Sequence, residues 1–265
     1  MRVGYLQFDC KFGRKAENFA TVKKMIDEKK ADLWVFPELF NSGYCFTSKE
    51  EAKLMAEPIP DGDTSRFLLT LSKIHHCTIV AGLPEFFEKS LYNSAICVSD
   101  GNYMTKYRKC HLFDREKLWF DAGDNIGDII RIGNINLGIM ICFDWYFPEV
   151  ARSLALKGID ILCHPSNLVL PYCQAAMITR CLENRIYTIT ANRIGQEQRD
   201  GVHLQFTGMS QVVSPKGELL HRGLENHEEA FVVTIDPLAA RDKMITSRNN
   251  LFDDRRPQLY TTEAQ

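Results

Sequence analysis

The 265-residue sequence predicts an α/β protein whose two halves each run strand–helix–strand–helix–strand and close on a hairpin. Three observations predict it. Short apolar runs alternate with amphipathic stretches at helical spacing. The segment Val3–Asp9 (VGYLQFD) is echoed by Leu137–Asp144 (LGIMICFD), both strand-like and both ending in Phe-Asp. Each copy is then followed by the same order of elements, so the halves are expected to pack sheet on sheet with helices outside.

The elements follow in order. After the first strand, Glu17–Lys29 carries Phe19, Val22, Met25 and Ile26 on one face and reads as a helix. The apolar run Asp32–Glu38 is the second strand, a helix runs through Ser65–Lys73, and Thr78–Gly82 is the third strand. Ser94–Arg108 forms a hairpin turning at Asp100-Gly101. In the second half Ile135–Ile141 reads as a buried strand. Pro148-Glu149 followed by Val150, Ala151, Leu154 and Leu156 starts a helix that Gly158 stops. Asp160–Ser166, a helix over Gln174–Asn184, Thr188–Asn192 and a hairpin Ser210–Arg222 turning at Lys216-Gly217 complete the echo. No low-complexity segment or long linker interrupts the chain, so residues 1–265 are expected to form a single domain.

The bulk numbers exclude several classes. With 45% hydrophobic residues the chain can bury a large core, and a net charge of −2 provides no global field for nucleic acid or an anionic membrane. No run of 18 apolar residues is available to span a bilayer. The chain begins directly on strand-like Val3–Phe8, without the basic, apolar and small-residue pattern of a signal peptide. Nine cysteines, an odd number scattered without a CxxC pair, argue for a reducing compartment, so a cytoplasmic location is expected. The seven histidines show no metal-ligand spacing, and neither GxGxxG nor a phosphate loop occurs, so no cofactor and no metal are expected.

Cys142 ends the apolar run and precedes a helix, a strand-to-helix position suited to a nucleophile, although most cysteines are packing residues. Glu38 follows the apolar Leu33-Trp34-Val35-Phe36 with no local basic partner; a glutamate against an apolar wall holds its proton more tightly and suits base work. Taken alone it reads more readily as a solvated loop carboxylate. Lys109 lies in Lys106-Tyr107-Arg108-Lys109-Cys110-His111-Leu112-Phe113, ordinarily a solvated strand edge, but Leu112-Phe113 suggests that the chain turns inward. Glu116 follows within reach of it. His111 and His164 keep a Cys–His arrangement open, and the residues by themselves do not choose between a histidine and a glutamate as the base for Cys142.

Together these segments resemble the carbon–nitrogen hydrolase, or nitrilase-like, family, in its amidase-type branch. That family has a glutamate in a PELF-like segment, a lysine in a YRKxHLF-like segment and a cysteine in a CFDxxFPE-like segment, in this order. Here they are Pro37-Glu38-Leu39-Phe40, Tyr107–Phe113 and Cys142–Glu149. Further matches are Ala155–Gly158, Leu182–Arg185, Ala191–Arg193 and Gly208–Ser210, so the likeness runs from Val3 to about Asp242.

The resemblance implies a four-layer αββα sandwich, with Glu38 as general base, Lys109 as the cation beside the developing oxyanion and Cys142 as nucleophile. Glu116 matches the family's second glutamate, which orients the substrate or the lysine. The backbone N–H of Phe143 would join Lys109 at the oxyanion. A thiol near its reference pKa of about 8.5 is mostly protonated at neutral pH, and an ammonium beside it is expected to lower that value. Tyr44, Phe113, Phe143, Trp145, Tyr146 and Asn167, which flank the signatures, are expected to line the substrate pocket. The implied activity is hydrolysis of a small linear amide through a thioester at Cys142, with a nitrilase or a carbamoyl-amide hydrolase as alternatives on the same residues. An inward-pointing arginine would favour an amino-acid-like substrate. The partner is thus a small amide or nitrile, and a homodimer or higher homo-oligomer through Gln174–Asn184 and the C-terminal tail is expected, as in other members.

Overall fold

A computed structural model describes residues 1–260; residues 261–265, the end of the tail expected at a subunit contact, lie outside the described residues. The first half builds β1 (Arg2–Gln7), α1 (Lys15–Asp27), β2 (Leu33–Val35), α2 (Lys49–Met55), α3 (Asp63–His75), β3 (Thr78–Phe87), β4 (Ser90–Ser99), β5 (Asn102–Arg108) and a single turn, α4 (Glu116–Trp119). The second builds β6 (Ile130–Ile132), β7 (Ile135–Ile139), α5 (Pro148–Lys157), β8 (Ile161–Pro165), α6 (Cys173–Asn184) and β9 (Tyr187–Ala191). It continues through β10 (Gln196–Arg199), β11 (Val202–Gln205), β12 (Gln211–Val213), β13 (Leu219–Arg222) and β14 (Glu229–Thr234).

Two six-stranded sheets result, in the orders β14-β1-β2-β3-β4-β5 and β13-β12-β9-β8-β7-β6. Strands β1, β2 and β3 are parallel, as are β7, β8 and β9, and in each sheet a hairpin (β4–β5, β12–β13) is added antiparallel. The echo read from the sequence is therefore a repeat of topology.

Side-chain alternation explains the layers. Val3, Tyr5, Leu33 and Val35 face the core shared with Leu137, Ile139, Ile161 and Cys163 of the second sheet. Their neighbours Leu6, Trp34 and Phe36 face the other way, onto Val22 and Ile26 of α1 and Leu68 and Leu71 of α3. Helices α5 and α6 cover the second sheet through Val150, Leu154 and Met177. The order of layers is helix, sheet, sheet, helix.

Four features depart from the sequence reading. β2 stops at Val35, and the chain beyond it turns while staying against β3, with the Phe40 N–H bonded to the Gly82 carbonyl and Leu39 at a left-handed φ of 48°. β3 extends to Phe87 because it ladders with β4 along its whole length, a pairing local periodicity does not reveal. The hairpin β10–β11 lies outside both sheets. Finally, β14 crosses back from the second half to pair antiparallel with β1, so the first sheet is completed by the end of the chain.

Candidate active site

The predicted residues come together beyond the C-terminal ends of parallel strands, the usual place for a site in α/β sheets. Glu38 follows β2, Lys109 follows β5, Cys142 follows β7 and Asn167 follows β8.

Glu38 is fully buried in a turn that needs close backbone approach from β3: a Cβ on Gly82 would lie 2.6 Å from the Glu38 Cα. The base that had no local partner finds a distant one. Lys109 Nζ donates to Glu38 Oε1 at 2.7 Å and to Glu116 at 2.8 Å, and all three side chains are at most 4% exposed. Lys109 is turned inward, as its apolar neighbours suggest, and Glu116 is further held by the Phe113 N–H at 2.9 Å. Asn93 of β4, which nothing in the local sequence marks, donates its Nδ2 to Glu38 Oε1 at 2.6 Å and to Glu116 Oε1 at 3.3 Å. Glu38 Oε2 is buried without a partner among the described residues.

Cys142 opens a tight 3-10 turn, Cys142–Tyr146, between β7 and α5, so the strand does not lead directly into the helix. Its φ of 39° is left-handed, strained for a side chain larger than glycine. Two groups hold it there. His164 is buried and neutral, its pKa pushed down to about 4 chiefly by burial, and its Nε2–H donates to the Cys142 carbonyl at 3.0 Å. Asp144 accepts from the Ile141 N–H at 2.9 Å, from Tyr107 Oη at 2.8 Å and from the His111 N–H at 3.1 Å. Tyr107 and His111 flank Lys109, so one buried carboxylate ties the cysteine turn to the lysine segment. His164 thus holds the cysteine's backbone, the His111 ring is engaged with the Asp144 carboxylate at 2.8 Å, and Glu38 lies beside the thiol.

Burial dominates the titration of the site. It raises Glu38 to about 7, with Lys109 opposing and Glu116 reinforcing. Burial would by itself lower Lys109, but Glu116 and Glu38 overcome it and the ammonium stays charged. The Cys142 thiol is raised well above its usual range by burial and by Glu38, against the pull of Lys109 and of the Asn167 N–H. The ammonium pulls the thiol down as expected, but burial and Glu38 outweigh it, and the resting group is a protonated thiol.

Two recesses adjoin the cluster and share Phe113. One is lined by Cys142, Phe143, Trp145, Asn167 and Leu168 to Leu170. Both polar side-chain atoms of Asn167 are buried there without partners among the described residues. The other, lined by Tyr44, Phe46, Glu116, Trp119, Val202 and Leu204, is walled by the β10–β11 hairpin that the sequence did not suggest. Tyr44 lies beside Glu116, Glu38 and Cys142, and with burial they raise its phenol well above the usual range. Tyr146 lines neither recess; it is 53% exposed, against Trp145 with ring centroids 4.7 Å apart. Arg115 is the one arginine at either recess among the described residues, and it pairs with Asp200 at 3.1 Å.

Chemically, the arrangement offers a thiol, a carboxylate titrating near neutrality and a fixed ammonium around a small, mostly apolar recess. A model of the family described as carbon–nitrogen hydrolase matches residues 2–243. Over 263 residues the chain is 43% identical to a Pyrococcus abyssi protein named nitrilase, spanning 98% of this chain and 99% of the relative. It is 30% identical over 283 residues to N-carbamoylputrescine amidase of Solanum lycopersicum, spanning 97% and 93%. The crystal structure of a carbon–nitrogen hydrolase from Helicobacter pylori G27 matches with a TM-score of 0.88 at 26% identity, over 98% of this chain and 97% of that one.

Proposed function

Since the chain belongs to the carbon–nitrogen hydrolase family, we propose that it hydrolyses a non-peptide carbon–nitrogen bond of a small linear amide through a thioester at Cys142. The observation that carries this reading is the buried cluster in which Lys109 bridges Glu38 and Glu116 beside the Cys142 thiol.

Because the thiol rests protonated, attack and proton transfer go together. Sγ bonds to the amide carbon as its proton passes to Glu38, whose pKa of about 7 leaves it partly ionised at neutral pH. Negative charge collects on the amide oxygen, facing the Lys109 ammonium and the Phe143 N–H, which has no partner within its turn. Each such donor is worth about 3–4 kcal/mol to the transition state. Collapse breaks the carbon–nitrogen bond, and the leaving ammonia or amine takes the proton from Glu38. Water, deprotonated by the same carboxylate, then cleaves the thioester to the acid and restores the thiol.

Two other readings use these residues. The 43% identity to a protein named nitrilase favours a nitrile substrate, with a thioimidate at Cys142 and release of acid and ammonia. The likeness to an N-carbamoylputrescine amidase favours a carbamoyl amide. We assign the binding of the substrate to Phe113, Phe143, Trp145, Asn167 and Tyr44, and we expect a homodimer or higher assembly through α6. No helix among the described residues is long and apolar enough to cross a membrane.

A panel of small amides, ureido compounds and nitriles assayed for ammonia separates the three readings, with Cys142→Ala as control. Activity that survives that substitution sinks the mechanism.

A further inference from the structure

Asn93 bonds to all three charged members of the cluster. It is fully buried on β4, a strand flanked by β3 and β5. Its Nδ2 reaches both carboxylates, at 2.6 Å for Glu38 and 3.3 Å for Glu116, and its backbone carbonyl accepts the Lys109 N–H at 2.8 Å. One residue therefore sets the positions of three groups that come from separate parts of the chain.

The side chain is oriented by the carboxylates alone. Its Oδ1 is buried with no partner among the described residues, a costly state for an amide oxygen. Turning the amide over would bring that oxygen against two carboxylates, so the orientation follows from chemistry. The result at Glu38 is asymmetric. Oε1 receives both Asn93 and Lys109, while Oε2, equally buried, receives nothing among the described residues.

We infer that Asn93 is a positioning residue for the base. With Lys109 it occupies one oxygen of Glu38 and leaves the other for the Cys142 proton, and its amide N–H opposes the protonation of Glu38 that the neighbouring Glu116 favours. The inference rests on the reading of Glu38 as base. Like charges at close range push one carboxyl toward its protonated form, and an amide N–H donated to both opposes this. The charged or titratable groups facing Glu38 are Lys109 beyond β5, Glu116 on α4, Tyr44 after β2 and Cys142 after β7. Of these only Lys109 is a cation, so losing the amide donor leaves Lys109 alone to hold the proton off.

The test replaces the amide by a side chain of similar volume that cannot donate, Asn93→Leu, and by one of the same shape that exchanges the donor for an acceptor, Asn93→Asp. Two pH profiles are measured: kcat/KM on the best substrate of the panel, and the rate of Cys142 alkylation by iodoacetamide, which needs no substrate. In both variants the acid limb of each profile is expected to move up by about one pH unit or more. At pH 7 kcat should fall at least about tenfold, with KM changed less than about threefold, and recover in part at higher pH. A variant that retains the wild-type circular dichroism yet loses activity by one factor at every pH, with both limbs unmoved, overturns the inference. Wild-type protein in which iodoacetamide does not select Cys142 would instead count against the reading of the site itself.

Discussion

At Glu38, Lys109 and Cys142 the physics is a contest between burial and charge. Burial raises a carboxyl and a thiol alike, and one ammonium shared by two carboxylates does not restore both. Under the proposed mechanism the thiol rests protonated and Glu38 takes up its proton. Activity should rise as pH passes about 7, where Glu38 ionises, since the base must be unprotonated to act. Glu38→Gln keeps the shape and an acceptor for Lys109 but removes the base. We expect kcat to fall by about 10²–10⁴-fold and the limb near neutrality to disappear, while thermal unfolding changes little. Wild-type kcat in the Glu38→Gln enzyme would move the base to another residue.

Elements hold these groups through close backbone approach. The turn carrying Glu38 lies so near β3 that a methyl group at Gly82 would meet the Glu38 Cα at 2.6 Å and the Leu39 N at 2.8 Å, both backbone atoms. Gly82→Ala should cost roughly 1–3 kcal/mol of stability and lower kcat further than the stability loss explains, because Glu38 is displaced. Denaturant unfolding and steady-state kinetics on one preparation check it; unchanged kcat would show that the turn can yield. Gly158 makes the contrast. Its φ of 95° ends α5 on open space, so Gly158→Ala should lose only about 1 kcal/mol and leave kcat intact. Helix α5 is legible in the sequence because its signals are local: Pro148 at the start, Gly158 at the stop and apolar spacing between them. The 3-10 turn at Cys142 is not, because His164 and Tyr107, which hold it together with Asp144 of the turn itself, reach it from β8 and β5.

Across the molecule, neither half is complete alone. The first sheet takes β14 from the end of the second half, and the face formed by Val3, Tyr5, Leu33 and Val35 is buried only by the second sheet. A chain cut to residues 1–128 should therefore fail to unfold cooperatively and should expose apolar surface, as read by calorimetry and dye binding. A sharp transition from that half would show that the interface between sheets is dispensable. Local periodicity and ordered motifs carry the alternation of elements, the doubled topology, most strand and helix positions, and the three segments that bear Glu38, Lys109 and Cys142. They also turn one lysine of the Lys106–Lys109 segment inward, without choosing which. Which groups meet is a matter for the folded chain. Asn93, Gly82 and the β10–β11 hairpin carry no local signal, because their roles arise from contacts between residues distant in the chain. The sign of the shift at Cys142 likewise belongs to the folded state, since desolvation exists only once the sheets have closed over the thiol.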